Sequence, residues 1–385
     1  MEHKNKHCHG LTGALALAGV MALGTAQAGG LDETISTEYQ SLRITQVVGG
    51  LEHPWAVAFL DDDRMLVSER PGRIQLIEGG EKTEISGLPE DLHSTNQGGM
   101  LDIVAHPDHA ENGWIYMTYS RDADDGDTVP ALIRARLEGD SLSDVEHLFE
   151  SNTPTAPGRH YGSRIVFLED GSLLMTIGDR GGYPPRSQDT EDHSGSVVRL
   201  NADGSVPEDN PFVDVDGYLP EIYSYGHRNI QGMIRHPETG EIWATEHGPR
   251  GGDELHVIEA GENYGWPVQT LGWDYRTEGQ FEHAETRDHP DMKNAVHEFV
   301  PTFAPSGLAV IEGEHFEAWE GNLLAGGLRA QRVLRLVVGD GELLHGEELF
   351  LNKLGRIRDV RQAPDGDVYI LNDAPDAGLY RVRPR

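Results

Sequence analysis

Cysteine is all but absent from this chain: Cys8 is the only one in 385 residues. It lies just before Leu11 to Gly24, the one long apolar run in the sequence. Lys4 and Lys6 precede that run and Ala26-Gln27-Ala28 follows it, the basic start and small-x-small cleavage site of an export signal. Residues 1–28 are therefore expected to be removed as a signal peptide. The mature chain would then hold no thiol, which excludes disulfides and cysteine metal sites. The run is short for a bilayer span, and a retained anchor helix is the alternative reading. No later segment is apolar enough to cross a membrane. A soluble protein, periplasmic or secreted, is the expectation.

Positive charge is scarce as well. Lysine and arginine number 31 against 65 aspartates and glutamates, a formal net charge of −34. Such acidity argues against nucleic acid or an anionic membrane as partner. A small anionic ligand stays open if cations cluster locally, and a saline habitat would also favour the acidity. Hydrophobic residues make up 37% and aromatics 7%, whereas glycine supplies 47 residues and proline 21. That balance suits many short strands joined by turns, not a helical bundle. Also lacking are a Gly-x-Ser-x-Gly elbow, a P-loop and a dinucleotide glycine fingerprint.

What is present is a repeat. Trp55-Ala-Val-Ala-Phe59, a turn, Met65-Leu-Val-Ser-Glu69 and Ile74-Gln-Leu-Ile77 read as strand, strand, strand. The phrase returns near Leu101, Arg164, Gly232, Gly307 and Arg358, at spacings of roughly 46 to 75 residues. Six such copies predict an all-β, six-bladed β-propeller with four-stranded antiparallel blades, a single domain over residues 29–385. The longer spacings place insertions at 121–130, 180–194, 205–220 and 268–300. Leu42 to Val48 has no partner in the first copy and could complete the last blade, closing the ring. A β-sandwich is the structural alternative.

Ile222 to Pro267 sets two polar, glycine-rich loops at the two ends of a short β unit. Gly226-His-Arg-Asn229 precedes the fourth copy, and Glu246-His-Gly-Pro-Arg-Gly-Gly-Asp-Glu254 follows its second strand. Arg228 is a forked cation suited to a planar anion. The Gly248 and Pro249 carbonyls, with Asp253 and Glu254, are hard oxygen donors of the type Ca²⁺ takes. In a propeller the segments entering each first strand converge on one channel mouth. Here they carry Gln97, Arg159-His160, Arg228-Asn229, Ser306, Arg356 and Arg358, an arginine-rich register in an acidic chain. Each also has a plain explanation. His160 could be a hydrogen-bonded turn residue, and Arg356 and Arg358 could pair with carboxylates. His227, His236, His247 and His256 lack tight zinc spacing.

His160-Tyr-Gly-Ser-Arg164, Gly226-His-Arg-Asn229, Glu246-His-Gly-Pro249 with Asp253-Glu254, and Asn263-Tyr-Gly-Trp-Pro267 resemble the soluble pyrroloquinoline-quinone (PQQ)-dependent aldose sugar dehydrogenases. Gln97-Gly-Gly, Gly327-Leu-Arg329 and Arg356-Ile-Arg358-Asp359 fit the same pattern, and the likeness runs from about Leu51 to Arg381. The resemblance implies oxidation of aldoses at the anomeric carbon to lactones, with hydride passing to PQQ. It implies that His160 is the general base and that Arg228 also stabilises developing charge. Gln97, His160, Arg228, Asn229, Arg329, Arg356 and Arg358 would hold the cofactor, whose three carboxylates suit arginines. The Gly248 and Pro249 carbonyls would bind its Ca²⁺, and Glu254 with the Tyr264 carbonyl a second, structural Ca²⁺. Arg159 stands where glucose-specialised members carry an acid, and Arg329 where they carry lysine. Their long substrate loops are missing too, which favours the broad-specificity aldose branch. Partners would be an aldose and an unidentified external electron acceptor, the chain being a monomer or homodimer. The rival readings are a calcium-dependent, lactonase-like propeller hydrolase and a non-catalytic binding propeller.

Overall fold

The computed structural model describes residues 30–385, and the expected signal peptide lies outside them. Six antiparallel sheets make up nearly all of the regular structure. Blade 1 runs Pro54–Phe59, Arg64–Glu69, Arg73–Glu78, Glu81–Glu84, from channel to rim. The inner strands of blades 2 to 6 are Met100–Ala105, Ile165–Phe167, Ile230–Arg235, Pro305–Val310 and Ile357–Gln362. These starts fall within two residues of the copies read from the sequence. Blade 6 is closed by Ser41–Leu51, which pairs with Ala377–Pro384 as the lone strand near Leu42 suggested. Asp32–Ser36 adds a fifth strand outside it.

Burial explains why these segments are strands and why the pattern fades outward. Pro54–Phe59 is buried on both faces, because each blade is covered by a neighbour on either side. Its sequence is accordingly a continuous apolar run without alternation. Glu81–Glu84, at the rim of the same blade, is exposed throughout and wholly polar. The acidity of the chain is carried largely by such outer positions.

Six apolar clusters fill the six blade-to-blade interfaces. One joins Leu66 and Ile74 of blade 1 to Ile103 and Met117 of blade 2. The ring-closing one joins Val57 and Val67 of blade 1 to Leu371 and Leu379 of blade 6. The core is therefore a closed annulus around the axis.

The channel itself is crossed by buried charge. Arg164 meets Asp102 at 3.0 Å and Asp359 at 3.2 Å, and Arg361 meets the same two carboxylates at 2.5 and 3.0 Å. Arg164 also donates to the Gln231 carbonyl and lies over the Trp55 ring. Blades 1, 2, 3, 4 and 6 are thus tied at the axis. A cavity of about 870 Å³ opens on one side of this network, between His106, Pro237, Glu312 and Pro364. His106 and His236 follow the inner strands there, as strand-end residues. Gln97, His160, Arg228, Asn229, Arg329, Arg356 and Arg358 lie at the opposite mouth, so this cavity is not where that chemistry gathers.

Candidate active site

A β-hairpin returns its second strand to the end where its first began. The loop entering each first strand and the loop leaving each second strand therefore share one mouth. In blade 4 this brings Gly226–Asn229 beside His247–Gly252, and His247 N–H donates to the Asn229 carbonyl at 3.1 Å. The register that repeats in the sequence is that of the entering loops. The leaving loops bring Arg70, Asp179, His247, Arg329 and Asp373 to the same mouth, after strands ending at Glu69, Ile177, Glu246, Gly327 and Asn372.

His160 is buried, and its backbone is held in the left-handed region at φ 56°. That conformation is unfavourable for a non-glycine residue and persists only where its surroundings impose it. Gln97 Oε1 accepts from His160 N–H at 2.9 Å, and Asn229 Oδ1 accepts from Gly162 N–H at 3.0 Å. Gly178 packs so close that a Cβ there would stand 2.1 Å from the His160 carbonyl oxygen. Gln97 and Asn229 thus shape the histidine loop with their oxygens. Their amide nitrogens meet no protein acceptor among the described residues.

The imidazole is aimed by a carboxylate. His160 Nδ1 lies 2.5 Å from Asp179 Oδ1, and Gly181 N–H donates to the same oxygen at 2.7 Å. Trp266 Nε1 donates to Asp179 Oδ2 at 2.8 Å. Nδ1 is then the protonated nitrogen and Nε2 carries the lone pair. Burial and the neighbouring Arg228 push the His160 pKa below its ordinary value, against the opposing pull of Asp179. Burial pushes Asp179 up, but His160 and Arg228 outweigh it and hold the carboxyl below the usual range.

Arg228 is half-buried between these groups. Its N–H donates to Glu246 Oε1, its Nη1 donates to the His247 carbonyl at 3.0 Å, and its guanidinium lies 5.3 Å from the Trp266 ring centre. Across the mouth, Asp373 Oδ2 accepts from Arg356 at 3.2 Å and Arg358 at 3.3 Å, and its Oδ1 meets His53 Nδ1 at 2.8 Å. Arg358 is buried and also donates to Gln231 Oε1. The carboxylate pairing of Arg356 and Arg358 foreseen as the plain reading is therefore real, but one carboxylate serves both, and Arg70 faces it too. Positive charge is in surplus. Burial, with Arg356 and Arg70 close by, lowers the Arg358 pKa to about 10 despite Asp373. His247, half-buried and facing Arg228, His160 and Arg358, is held neutral by desolvation and these neighbours, well below its ordinary value. Arg329 is exposed at the same mouth and makes no ion pair among the described residues.

The expected metal donors fall in two places. Gly248 and Pro249 lie beside Arg228. Gly248 N–H donates to Asp253 Oδ1, and the Pro249 carbonyl accepts from Gly252 at 2.9 Å. Asp253 Oδ2 also takes the Phe303 and Ala304 N–H groups at 2.8 Å, so this carboxylate is occupied in shaping the loop. Glu254 and Tyr264 sit outward along the blade. There Glu246, Glu254 and Glu298 are direct cross-strand partners, and Glu254 meets His256 Nε2 at 3.1 Å. Burial and the adjacent carboxylates raise the Glu254 pKa. Among the described residues no three His, Asp or Glu side chains form a metal-binding group. Both expected sites depend on backbone carbonyls.

A family model described as Glucose / Sorbosone dehydrogenase matches residues 51–381. The chain belongs to that family. It is accordingly an oxidoreductase acting on sugars. The aldose sugar dehydrogenase YliI of Escherichia coli is 36% identical over 342 residues, covering 87% of this chain and 91% of that one. The apo-form structure of the soluble aldose sugar dehydrogenase of Escherichia coli superposes with a TM-score of 0.86 at 34% identity, over 89% of this chain and all of that one. A PQQ-bound aldose sugar dehydrogenase of Streptomyces coelicolor gives 0.73 at 25% identity, over 92% and 98%. The six-bladed fold is common ground for this family member and its relatives. The described residues include no helix long and apolar enough to cross a membrane.

Proposed function

We propose that the chain oxidises aldose sugars at the anomeric carbon to lactones, as a PQQ- and Ca²⁺-dependent dehydrogenase with His160 as base. The observation that carries the reading is the surplus of cations at one mouth of a strongly acidic molecule, around a carboxylate-aimed imidazole. A ligand with several carboxylates suits that surplus: Arg228, Arg356, Arg358 and Arg329 would hold it, and the free amide nitrogens of Gln97 and Asn229 would donate to it. The Gly248 carbonyl, which meets no protein donor among the described residues, and that of Pro249 fit a hard cation beside it. Across the blade, Glu254, flanked by Glu246 and Glu298, with the Tyr264 carbonyl fits a second one. Bound there, PQQ would supply a hydride acceptor and Ca²⁺ a Lewis acid.

The chain's own part is proton transfer, orientation and charge. His160 Nε2 takes the proton of the anomeric hydroxyl while the hydride leaves C1, and the C–O bond becomes the lactone carbonyl. Asp179 keeps Nδ1 protonated and stabilises the imidazolium that results. Arg228, next to both, stabilises negative charge developing in the transition state. Export to the periplasm or medium rests on the first 28 residues, and a single catalytic domain over 29–385 rests on the closed ring of clusters. Chelator should abolish dye reduction by aldose, and Ca²⁺ should restore it where Zn²⁺ does not. Full activity in exhaustively demetallated enzyme would refute the metal assignment.

A further inference from the structure

Asp179 has two oxygens in a nearly water-free place, its side chain being 1% exposed. Oδ1 receives His160 and Gly181. Oδ2 receives Trp266 Nε1 as its sole protein donor among the described residues. The indole is held from several sides. Trp266 N–H donates to the Gly226 carbonyl at 2.8 Å, its carbonyl accepts from Gln188 Nε2 at 2.8 Å, and its ring lies 4.7 Å from Phe281 of the 268–300 insertion. The Arg228 guanidinium sits over the same ring. A phenylalanine would satisfy these packing contacts. Only the indole N–H reaches the carboxylate.

We propose that Trp266 is a positioning residue: its N–H fixes the Asp179 carboxylate that aims His160, while its ring backs Arg228, linking the loops of blades 3 and 4. The kinetic side of this rests on His160 acting as base, but the link itself does not. A buried carboxylate oxygen that loses its donor is destabilised as an anion and holds any neighbouring cation more strongly. Deleting the N–H should therefore favour protonated His160. The other groups facing His160 are Arg228 and Arg159, with His247 nearby, and Arg180 faces Asp179. Trp266→Phe replaces none of these groups and keeps an aromatic ring beneath Arg228.

The test uses the apo-protein, so it needs no cofactor. The His160 ring nitrogens are followed by ¹⁵N NMR across pH in wild type, Trp266→Phe and Phe281→Ala. Trp266→Phe should move the His160 midpoint upward by roughly 0.5–1 pH unit. Phe281→Ala, which disturbs packing but keeps the N–H, should leave it in place. An unmoved midpoint in Trp266→Phe, or an equal shift in Phe281→Ala, would overturn the proposal. If Trp266→Phe does not fold, the wild-type indole N–H resonance, assigned through its contacts to Phe281, must titrate together with His160. A resonance that stays still would equally overturn it. In protein loaded with PQQ and Ca²⁺, the acid limb of kcat should shift with the NMR midpoint while KM stays within about twofold. A shifted midpoint in protein whose wild type oxidises no aldose would leave the Trp266 link standing and remove the base assignment instead.

Discussion

A neutral imidazole can take a proton and an imidazolium cannot, so His160 should fail from the acid side. Burial and Arg228 lower its pKa, which extends the neutral form to more acid pH than an ordinary histidine allows. The rate should be sustained below the ordinary value of 6.5 and fall as pH drops through the lowered midpoint. His160→Ala should keep cofactor binding and lose about 10²–10⁴ in rate. Single-turnover kinetics with aldose across pH checks both. Arg228 and Arg358 carry the other residue-scale prediction. A hydrogen bond to a charged group contributes about 1.5–3 kcal/mol, so Arg228→Ala or Arg358→Ala should weaken PQQ at least about tenfold without unfolding the ring. Equilibrium titration of the apo-variants measures this, and unchanged curves in both would take the arginines out of the site.

Hairpins decide which residues meet. The inner strands were legible in the sequence because burial on both faces leaves apolar runs such as Trp55 to Phe59. The rim strands were not. Glu81–Glu84 is four exposed polar residues held by its ladder to Arg73–Glu78, and Asp32–Ser36 is similarly polar. Gln97, His160, Arg228, Asn229 and Arg358 were legible for the same reason as the copies, since they enter first strands at one register. Asp179, Arg70 and Asp373 were missed because they leave second strands. The antiparallel turn alone implies that those positions share the mouth, so aligning both registers would have found them. Trp266 lay inside a quoted motif, but its hydrogen bond to a residue 87 positions away has no sequence signature. The loop after Ile242–Glu246 offers an element-scale test. A Cβ on Gly248 would stand 1.6 Å from the Gly252 carbonyl oxygen, so the loop cannot close over a side chain. Gly248→Ala should weaken Ca²⁺ binding by at least about tenfold while the β-sheet circular dichroism is kept.

For the molecule as a whole, the ring has two unlike ends separated by the Arg164–Asp102–Arg361–Asp359 network. Removing one member of a buried ion pair strands its partner and typically costs about 3–5 kcal/mol. Asp102→Ala should therefore lower unfolding stability by that order in denaturant titration, well beyond an exposed rim substitution such as Glu81→Ala. The same network keeps the cavity on the other side apart from His160, so substitutions at Pro237 or Pro364 should leave aldose oxidation unchanged. The cation-rich mouth is proposed to hold a quinone cofactor that an aldose reduces. The most direct measurement mixes mature apo-protein with PQQ and Ca²⁺, records the bound quinone absorbance, and adds aldose without any acceptor. Binding should give a stoichiometric absorbance change that aldose then bleaches, with bleaching slowed by about 10²–10⁴ in His160→Ala. Failure to bind PQQ, or bound PQQ that aldose leaves unbleached, would contradict that assignment.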